Sequence, residues 1–302
     1  MSEIAPPEPR VSVKQRSGGE LILTSGHESH PMATSLVQVF LDTVSTQPDT
    51  TLLAEKNAEG EFELLSYRDA RDRAYAIATW LLQKGAGQNT PLLILSGASI
   101  DHFVVTLGAM LAKVPCTPAS MSYSTVPAAY PKLQALFDRI RPAFVFSTDF
   151  EMQAKSLEVT GIANEKVMFI GQGDGIRATP LSEIEHHTDA ELVDASVAEI
   201  NHDTVTRYMF TSGSTGAPKG VIHTHGMICA MLAARVAAKG EKAPSPVRVL
   251  DWMPWSHVGA GLMRLAMVIE SGGCIYLDDG KPVPDEYHKT LENLLVVKPT
   301  TY

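Results

Sequence analysis

The sequence has little cysteine, and no cysteine pattern that would bind a metal. Its 302 residues include three cysteines, Cys116, Cys229 and Cys274, which are far apart and odd in number. That spacing fits no cysteine-based metal site. Each cysteine lies in an apolar segment, so we expect buried free thiols in a protein of the reducing cytoplasm.

Long apolar runs and an excess of positive charge are also missing. The most apolar stretch, residues 227–238, is interrupted by Arg235 and is too short to span a bilayer. Residues 1–15 are polar and proline-rich, without the apolar segment of a secretory signal. With 25 basic and 34 acidic side chains, the net charge of −9 argues against nucleic acid or an anionic membrane as the main partner. We therefore expect a cytoplasmic protein.

The remaining composition is typical of a globular protein with a large core. Hydrophobic residues make up 44% of the chain and charged residues 20%. Residues 1–30 are rich in proline, serine and glycine and predict a polar arm on the surface. The globular pattern begins at residue 31 and continues to residue 302. The more polar segment 171–203 is predicted to connect two sheet units.

Strand and helix signals alternate along the globular part. Ser66, followed by Asp69 three residues later, predicts a capped helix start, and Lys84-Gly85 predicts its end. Short apolar strands are predicted at 92–95, 144–146 and 167–170. This alternation predicts an α/β fold of parallel-rich sheets flanked by helices. The buried stripe of the first of these helices is expected to be Tyr67, Ala70, Ala74, Ile77, Ala78 and Leu81.

The sequence TSGSTGAPKG, residues 211–220, predicts a phosphate-binding loop. It follows an apolar segment that ends at Phe210, and a second short apolar stretch comes after it. Glycines allow a tight backbone and a close approach to a ligand, and successive backbone N–H groups can bind an anion. The hydroxyls add donors, and Lys219 adds a positive charge suited to phosphate.

This loop differs from a Walker A loop. Pro218 precedes Lys219 and Gly220 follows it, so no hydroxyl comes after the lysine to hold Mg²⁺. A P-loop kinase or GTPase is therefore excluded. The alternative is a glycine- and serine-rich surface linker, but a linker does not require this order of residues.

The ordered loop resembles that of the adenylate-forming superfamily, which contains acyl-CoA synthetases, luciferases and peptide-synthetase adenylation domains. Two further runs, Asp251-Trp252-Met253-Pro254-Trp255-Ser256-His257 and Asp278-Asp279-Gly280-Lys281-Pro282, resemble those of feruloyl-CoA synthetases. The resemblance extends from about Ser66 to Tyr302. It implies the N-terminal part of the large adenylation domain, incomplete over residues 31–302, without the C-terminal lid domain. We therefore expect a truncated part of a longer enzyme.

The resemblance also implies an activity and its co-substrates. Such enzymes activate a carboxylic acid with ATP and Mg²⁺ and then pass the acyl group to coenzyme A, here with an aromatic acid such as ferulate expected. The resemblance assigns phosphate contacts to Thr211, Ser212, Gly213, Ser214, Thr215, Gly216 and Lys219. Lys219 would neutralise charge on the departing pyrophosphate, and His257 would lie near the substrate carboxylate.

Several candidate residues could have a structural role instead of a functional one. A histidine before a helix is more often a cap or a packed core residue, and Trp252 and Trp255 could line an aromatic pocket or be structural. Asp278, Asp279 and Lys281 could be simple turn residues.

A histidine pair and the activity itself also leave alternatives. His223 and His225 are spaced to share one face of a strand, with metal binding the weaker reading. For the activity, the alternatives are an adenylating enzyme for a fatty or amino acid, and a non-catalytic nucleotide-binding relic or scaffold.

Overall fold

The computed structural model describes residues 10–27, 30–170, 178–211, 219–239 and 246–302 of the chain. The strands are β1 (Val11–Gln15), β2 (Leu21–Ser25), β3 (Thr51–Lys56), β4 (Phe62–Ser66), β5 (Leu92–Leu95), β6 (Cys116–Pro118), β7 (Phe144–Ser147), β8 (Val167–Phe169), β9 (Thr179–Pro180), β10 (Val205–Thr211), β11 (Lys219–Thr224), β12 (Arg248–Asp251) and β13 (Cys274–Leu277). The α-helices are α1 (Leu36–Thr46), α2 (Tyr67–Gln83), α3 (Ile100–Leu111), α4 (Ser122–Thr125), α5 (Tyr130–Ile140), α6 (Phe150–Thr160), α7 (Leu181–Ile184), α8 (Ala190–Ala198), α9 (His225–Lys239), α10 (Leu265–Ser271) and α11 (Tyr287–Val297). Short 3₁₀ turns cover Pro127–Ala129 and Asn164–Lys166, and a π-helix covers Gly259–Arg264.

The larger sheet has seven strands in the order β11-β10-β6-β5-β7-β8-β9. All neighbours are parallel except β10 and β11, which form an antiparallel hairpin at one edge. Both faces of this sheet are buried: Leu92 and Ile94 of β5 join one hydrophobic cluster, and Leu93 and Leu95 join another. Strands buried on both faces read as continuous apolar runs. The predicted α/β fold with parallel-rich sheets flanked by helices is confirmed.

The smaller sheet has four strands in the order β12-β13-β3-β4. Strands β12, β13 and β3 are parallel, and β3 pairs with β4 as an antiparallel hairpin. Buried Tyr67, at the start of α2, donates to the backbone oxygens of Val268 and Gly273, at 3.3 and 3.0 Å. These bonds join an early helix to α10 and to the turn between α10 and β13. The smaller sheet is therefore assembled from two parts of the chain that are far apart in sequence.

Helix α2 forms as its sequence predicts. Its N-cap is Ser66, whose Oγ accepts a hydrogen bond from the N–H of Asp69 at 3.0 Å. The helix ends at Gln83, Lys84 is its C-cap, and Gly85 follows with a φ of +76°. Each residue of the predicted stripe is buried: Tyr67, Ala70, Ala74, Ile77, Ala78 and Leu81.

Three features of the fold differ from the simplest reading of the sequence. Helix α3 is buried on every face from His102 to Leu111, whereas a helix at the surface of a sheet would bury only one face. The strands on either side of segment 171–203 belong to the same large sheet, so this predicted connection does not lead from one sheet to another. In the N-terminal arm, β1 and β2 form an exposed antiparallel hairpin. None of the helices in the described ranges has the length and apolar content that a bilayer crossing requires.

Candidate active site

The β10–β11 hairpin carries the two ends of the predicted phosphate loop. Thr211, the last residue of β10, pairs directly with Lys219, the first residue of β11. Next to this pair, Phe210 lies opposite Gly220, where a Cβ would come within 3.1 Å of the Phe210 ring. A glycine is therefore favoured after the lysine for steric reasons. The other loop candidates, Ser212, Gly213, Ser214, Thr215 and Gly216, lie outside the described residues.

A cavity of about 560 Å³ lies beside this hairpin. It is found at the carboxyl ends of β6, β10 and β12, the position at which open α/β sheets bind ligands. Two histidines, four other side chains that are aromatic or carry a hydroxyl, and several apolar groups surround it. The lining residues are Pro118, Ala119, Ser120, Tyr123, Leu136, Met209, Phe210, Val221, His223, Pro254, Ser256, His257 and Val258.

His257 is exposed at the wall of this cavity, in the turn that follows β12. Its N–H donates to the Pro254 carbonyl at 3.0 Å, and its own carbonyl accepts from Gly261 N–H at 2.9 Å. The turn thus fixes the histidine backbone and leaves the side chain on the cavity side. Such a position differs from the packed core position that is the commoner place for a lone histidine.

The buried carboxylate of Asp251, which was not predicted to have a role, stabilises this turn. Asp251 accepts from the backbone N–H of Met253 at 3.2 Å and from Trp255 Nε1 at 3.4 Å, and it pairs with Arg264 at 2.5 Å. Trp255 is 1% exposed and packs edge-on against the His102 ring, with centroids 5.1 Å apart. Trp255 is therefore a structural residue.

The other aromatic and acidic candidates lie away from the cavity lining. Trp252 is exposed and does not border the cavity. Asp278 accepts from Gly280 N–H and from the Asn293 amide, at 2.9 and 2.7 Å, and Asp279 pairs with Lys56 at 2.9 Å. These contacts stabilise the turn after β13, as expected of turn residues.

The expectation that His223 and His225 share one strand face is wrong. Strand β11 ends at Thr224, and His225 is the first residue of α9. His223 borders the cavity, and its burial lowers its pKa, with the Arg207 charge acting in the same direction. His225 is buried, and its Nδ1 accepts from Leu36 N–H at 3.2 Å. Among the described residues there is no cluster of three or more histidine, cysteine or acidic side chains that could hold a metal.

Cysteine chemistry has no support at this site. Cys116 and Cys229 are buried, Cys274 is half-buried, and all three are free thiols. Burial raises the pKa of Cys116 to about 12 and that of Cys229 to about 11, so both are protonated at neutral pH.

Two buried polar side chains behind the cavity were not predicted from the sequence. Arg207, in the middle of β10, and His102, in α3, are 2% and 1% exposed. Burial lowers the pKa of His102 to about 4, so its imidazole is neutral at pH 7. A charged residue within an otherwise apolar strand was the available signal for Arg207.

Comparison with known proteins places this architecture in a family. The family model for AMP-binding enzymes matches residues 40–302. Similar curated proteins include the long-chain-fatty-acid–AMP ligase FadD23 of Mycobacterium tuberculosis, 23% identical over 80% of this chain and 40% of the relative. Surfactin synthase subunit 1 of Bacillus subtilis is 26% identical over 67% of this chain and 5% of the relative.

Solved structures share the fold. A luciferase-like enzyme from the mealworm Zophobas morio superposes with a TM-score of 0.71 at 16% identity, over 91% of this chain and 61% of that one. The fatty acyl-adenylate ligase from L. pneumophila, in complex with acyl adenylate and pyrophosphate, gives a TM-score of 0.65 at 20% identity, over 89% and 44%. This chain spans at most 40% of the length of these curated relatives. With most of its length matched by the family model, the chain belongs to the family of AMP-binding enzymes.

Proposed function

We propose that this protein takes part in ATP-dependent activation of a carboxylic acid, as an acid–thiol ligase. The acid carboxylate attacks the α-phosphate of ATP, which gives an acyl-adenylate and expels pyrophosphate. The thiol of coenzyme A then attacks the acyl carbon and releases AMP. Both steps gain from positioning and charge stabilisation rather than from a covalent enzyme intermediate.

The observation that carries this proposal is the cavity at the carboxyl ends of β6, β10 and β12. It brings His257 beside strands β10 and β11, whose ends are Thr211 and Lys219. Acid and nucleotide would therefore meet in one crevice. In the proposal, Lys219 and the loop residues Thr211, Ser212, Gly213, Ser214, Thr215 and Gly216 bind the phosphates, and His257 contacts the acid carboxylate.

Mg²⁺ belongs to the proposal as the ion that accompanies the nucleotide phosphates. The described residues contain no cluster of three potential metal ligands. We therefore assign no residue of this chain to the ion. Its contribution would be to neutralise phosphate charge, while the residues named above orient the acid and the nucleotide.

For the acid, we propose an aromatic substrate of the ferulate type. The supporting observations are the runs that resemble feruloyl-CoA synthetases and a cavity lined by Tyr123 and Phe210 as well as by polar His223 and Ser120. Aromatic side chains and a few polar groups suit a ring that carries hydroxyl substituents. The similar proteins named above favour a second candidate, a fatty acid or an amino acid.

Acid-dependent exchange of pyrophosphate into ATP tests the proposal. The complete gene product is incubated with ATP, Mg²⁺, labelled pyrophosphate and one acid at a time: ferulate, cinnamate, dodecanoate or phenylalanine. We expect exchange with ferulate above all others. Exchange with only dodecanoate or only phenylalanine would contradict the aromatic assignment, and no exchange with any acid would contradict adenylation.

A further inference from the structure

Arg207 is a buried cation with one hydrogen-bond partner among the described residues. It lies in the middle of β10 and is 2% exposed, and burial lowers its pKa to about 10. Its Nη1 donates to the backbone carbonyl of Gly261, while its Nε meets no acceptor in the ranges that the structure describes. No ion pair involving Arg207 is formed within the described part of the chain. Arg207 therefore differs from Arg235, which is paired with Glu270.

Burying a charge without a counter-ion is costly, and an apolar side chain of similar size is often better for stability. The surroundings of Arg207 are mostly apolar: Phe103, Leu107, Leu262 and Leu265 border the same small cavity, together with polar Thr106. Stability alone therefore gives no reason for an arginine here. Its hydrogen bond to the Gly261 carbonyl indicates that the role of Arg207 is to hold the segment that contains Gly261.

Gly261 lies in the π-helix Gly259–Arg264, which begins two residues after His257. Its N–H donates to the His257 carbonyl at 2.9 Å, so it is bonded directly to the turn that carries the histidine. A Cβ on Gly261 would lie 1.9 Å from the Trp255 carbonyl oxygen, so the helix packs against the turn without room for a side chain. Single π-turns within helices are often found at functional sites.

We propose that Arg207 is a positioning residue that ties the phosphate-loop strand to the His257 turn. Four residues beyond Arg207, β10 ends at Thr211, and the Arg207 guanidinium reaches the helix that begins at the end of the His257 turn. One side chain thus sets the distance between the nucleotide end of the crevice and its acid end. This inference rests on the proposed function for its kinetic consequence, but its structural consequence can be measured without any activity.

The test compares Arg207→Met and Arg207→Lys with the wild-type protein, as complete gene products. In Arg207→Met the Gly261 carbonyl loses its hydrogen bond from Arg207, and backbone amides of residues 259–264 should exchange with deuterium about tenfold faster or more, because the side chain no longer ties the π-helix to β10. The melting temperature should stay the same or rise, because an unpaired buried charge has been removed. A residue that merely supports the core would not combine a loosened turn with unchanged or increased stability.

The kinetic arm measures acid and ATP dependence separately. For Arg207→Met we expect kcat/KM for the acid to fall by about 10- to 100-fold, the effect of a reacting group misplaced by about 1 Å. The KM for ATP should stay within about twofold of the wild-type value. Arg207→Lys should recover most of the loss, because an ammonium group can donate one hydrogen bond to the Gly261 carbonyl.

Arg235→Met is the matched control, since it also removes an arginine, a half-buried one, but leaves Glu270 without its partner. This variant should lower the melting temperature. It should not lower kcat/KM for the acid selectively while KM for ATP is kept. Wild-type exchange at residues 259–264 in Arg207→Met would overturn the inference. If the wild-type protein adenylates no acid, the proposed function fails, and the exchange measurement still decides whether Arg207 holds the turn.

Discussion

Replacing His225 by asparagine should reduce the loss of folding stability that occurs as the pH falls from 6.5 toward 4. His225 Nδ1 accepts from the N–H of Leu36, the first residue of α1, which has no partner within its own helix. Only the neutral imidazole can make this bond. Burial, with the His202 charge acting in the same direction, lowers the pKa of His225 from 6.5 to about 4.

The sign and size of the effect follow from the two pKa values. The unfolded chain binds a proton near pH 6.5, whereas the folded protein does so only near pH 4. The contribution of neutral His225 is therefore fully present above pH 6.5 and is lost as the pH falls toward 4. A shift of this size corresponds to about 3 kcal/mol in total, or up to about 1.4 kcal/mol per pH unit within the window.

Asparagine keeps an acceptor near the position of Nδ1 but cannot take up a proton. The assay is urea unfolding at pH values of about 7, 6, 5 and 4.5, which span the range in which His225 takes up its proton. The slope of the unfolding free energy against pH reports how many protons the chain takes up on unfolding. We expect this number to be smaller by up to about one in His225→Asn. The unfolding free energy of this variant at pH 7 should fall by only about 1 kcal/mol. His187→Asn, at an exposed site, is the control. Identical pH dependence in wild type and His225→Asn would refute the reasoning.

The remaining predictions concern the candidate active site. Lys219→Ala should slow adenylation by roughly 10- to 1,000-fold with little change in acid binding, measured by pyrophosphate exchange. The exposed Lys155→Ala is its control, and a loss of acid affinity at an unchanged rate would remove Lys219 from the phosphate site. His257→Ala should raise KM for the acid and lower the adenylation rate while ATP affinity is kept; a lower melting temperature with uniform loss for all substrates would indicate a structural residue instead. Gly261→Ala should lower stability by about 1–3 kcal/mol in urea unfolding, because the methyl group overlaps the Trp255 carbonyl. Gly259→Ala has room for the methyl, with its nearest neighbour 3.9 Å away, and stability close to wild type is expected there.

Local signals account for the parts of the fold that could be predicted from the sequence. The cap at Ser66, the apolar stripe of α2 and the strand at 92–95 each depend on residues close together in the chain, and each is confirmed. The family was also predictable, since the ordered loop and the tryptophan-containing run are dense motifs. The assignment to ferulate stays a prediction.

Contacts between distant segments account for what could not be predicted. The π-helix at 259–264 is contacted by Arg207, more than fifty positions earlier in the chain, and Gly261 packs closely against Trp255. In the sequence His102 resembles an ordinary helix residue, yet it is buried against Trp255, which lies in the turn after β12. The histidine pair was wrongly placed because periodicity alone cannot show that β11 ends at Thr224.

The identity of the nucleotide product tests the central claim most directly. The complete gene product is incubated with ATP, Mg²⁺, coenzyme A and ferulate, and the nucleotides and thioesters are separated by chromatography and identified by mass. Adenylation followed by thiol attack predicts AMP, pyrophosphate and feruloyl-CoA in equal amounts. Formation of ADP and inorganic phosphate in place of AMP and pyrophosphate would contradict it.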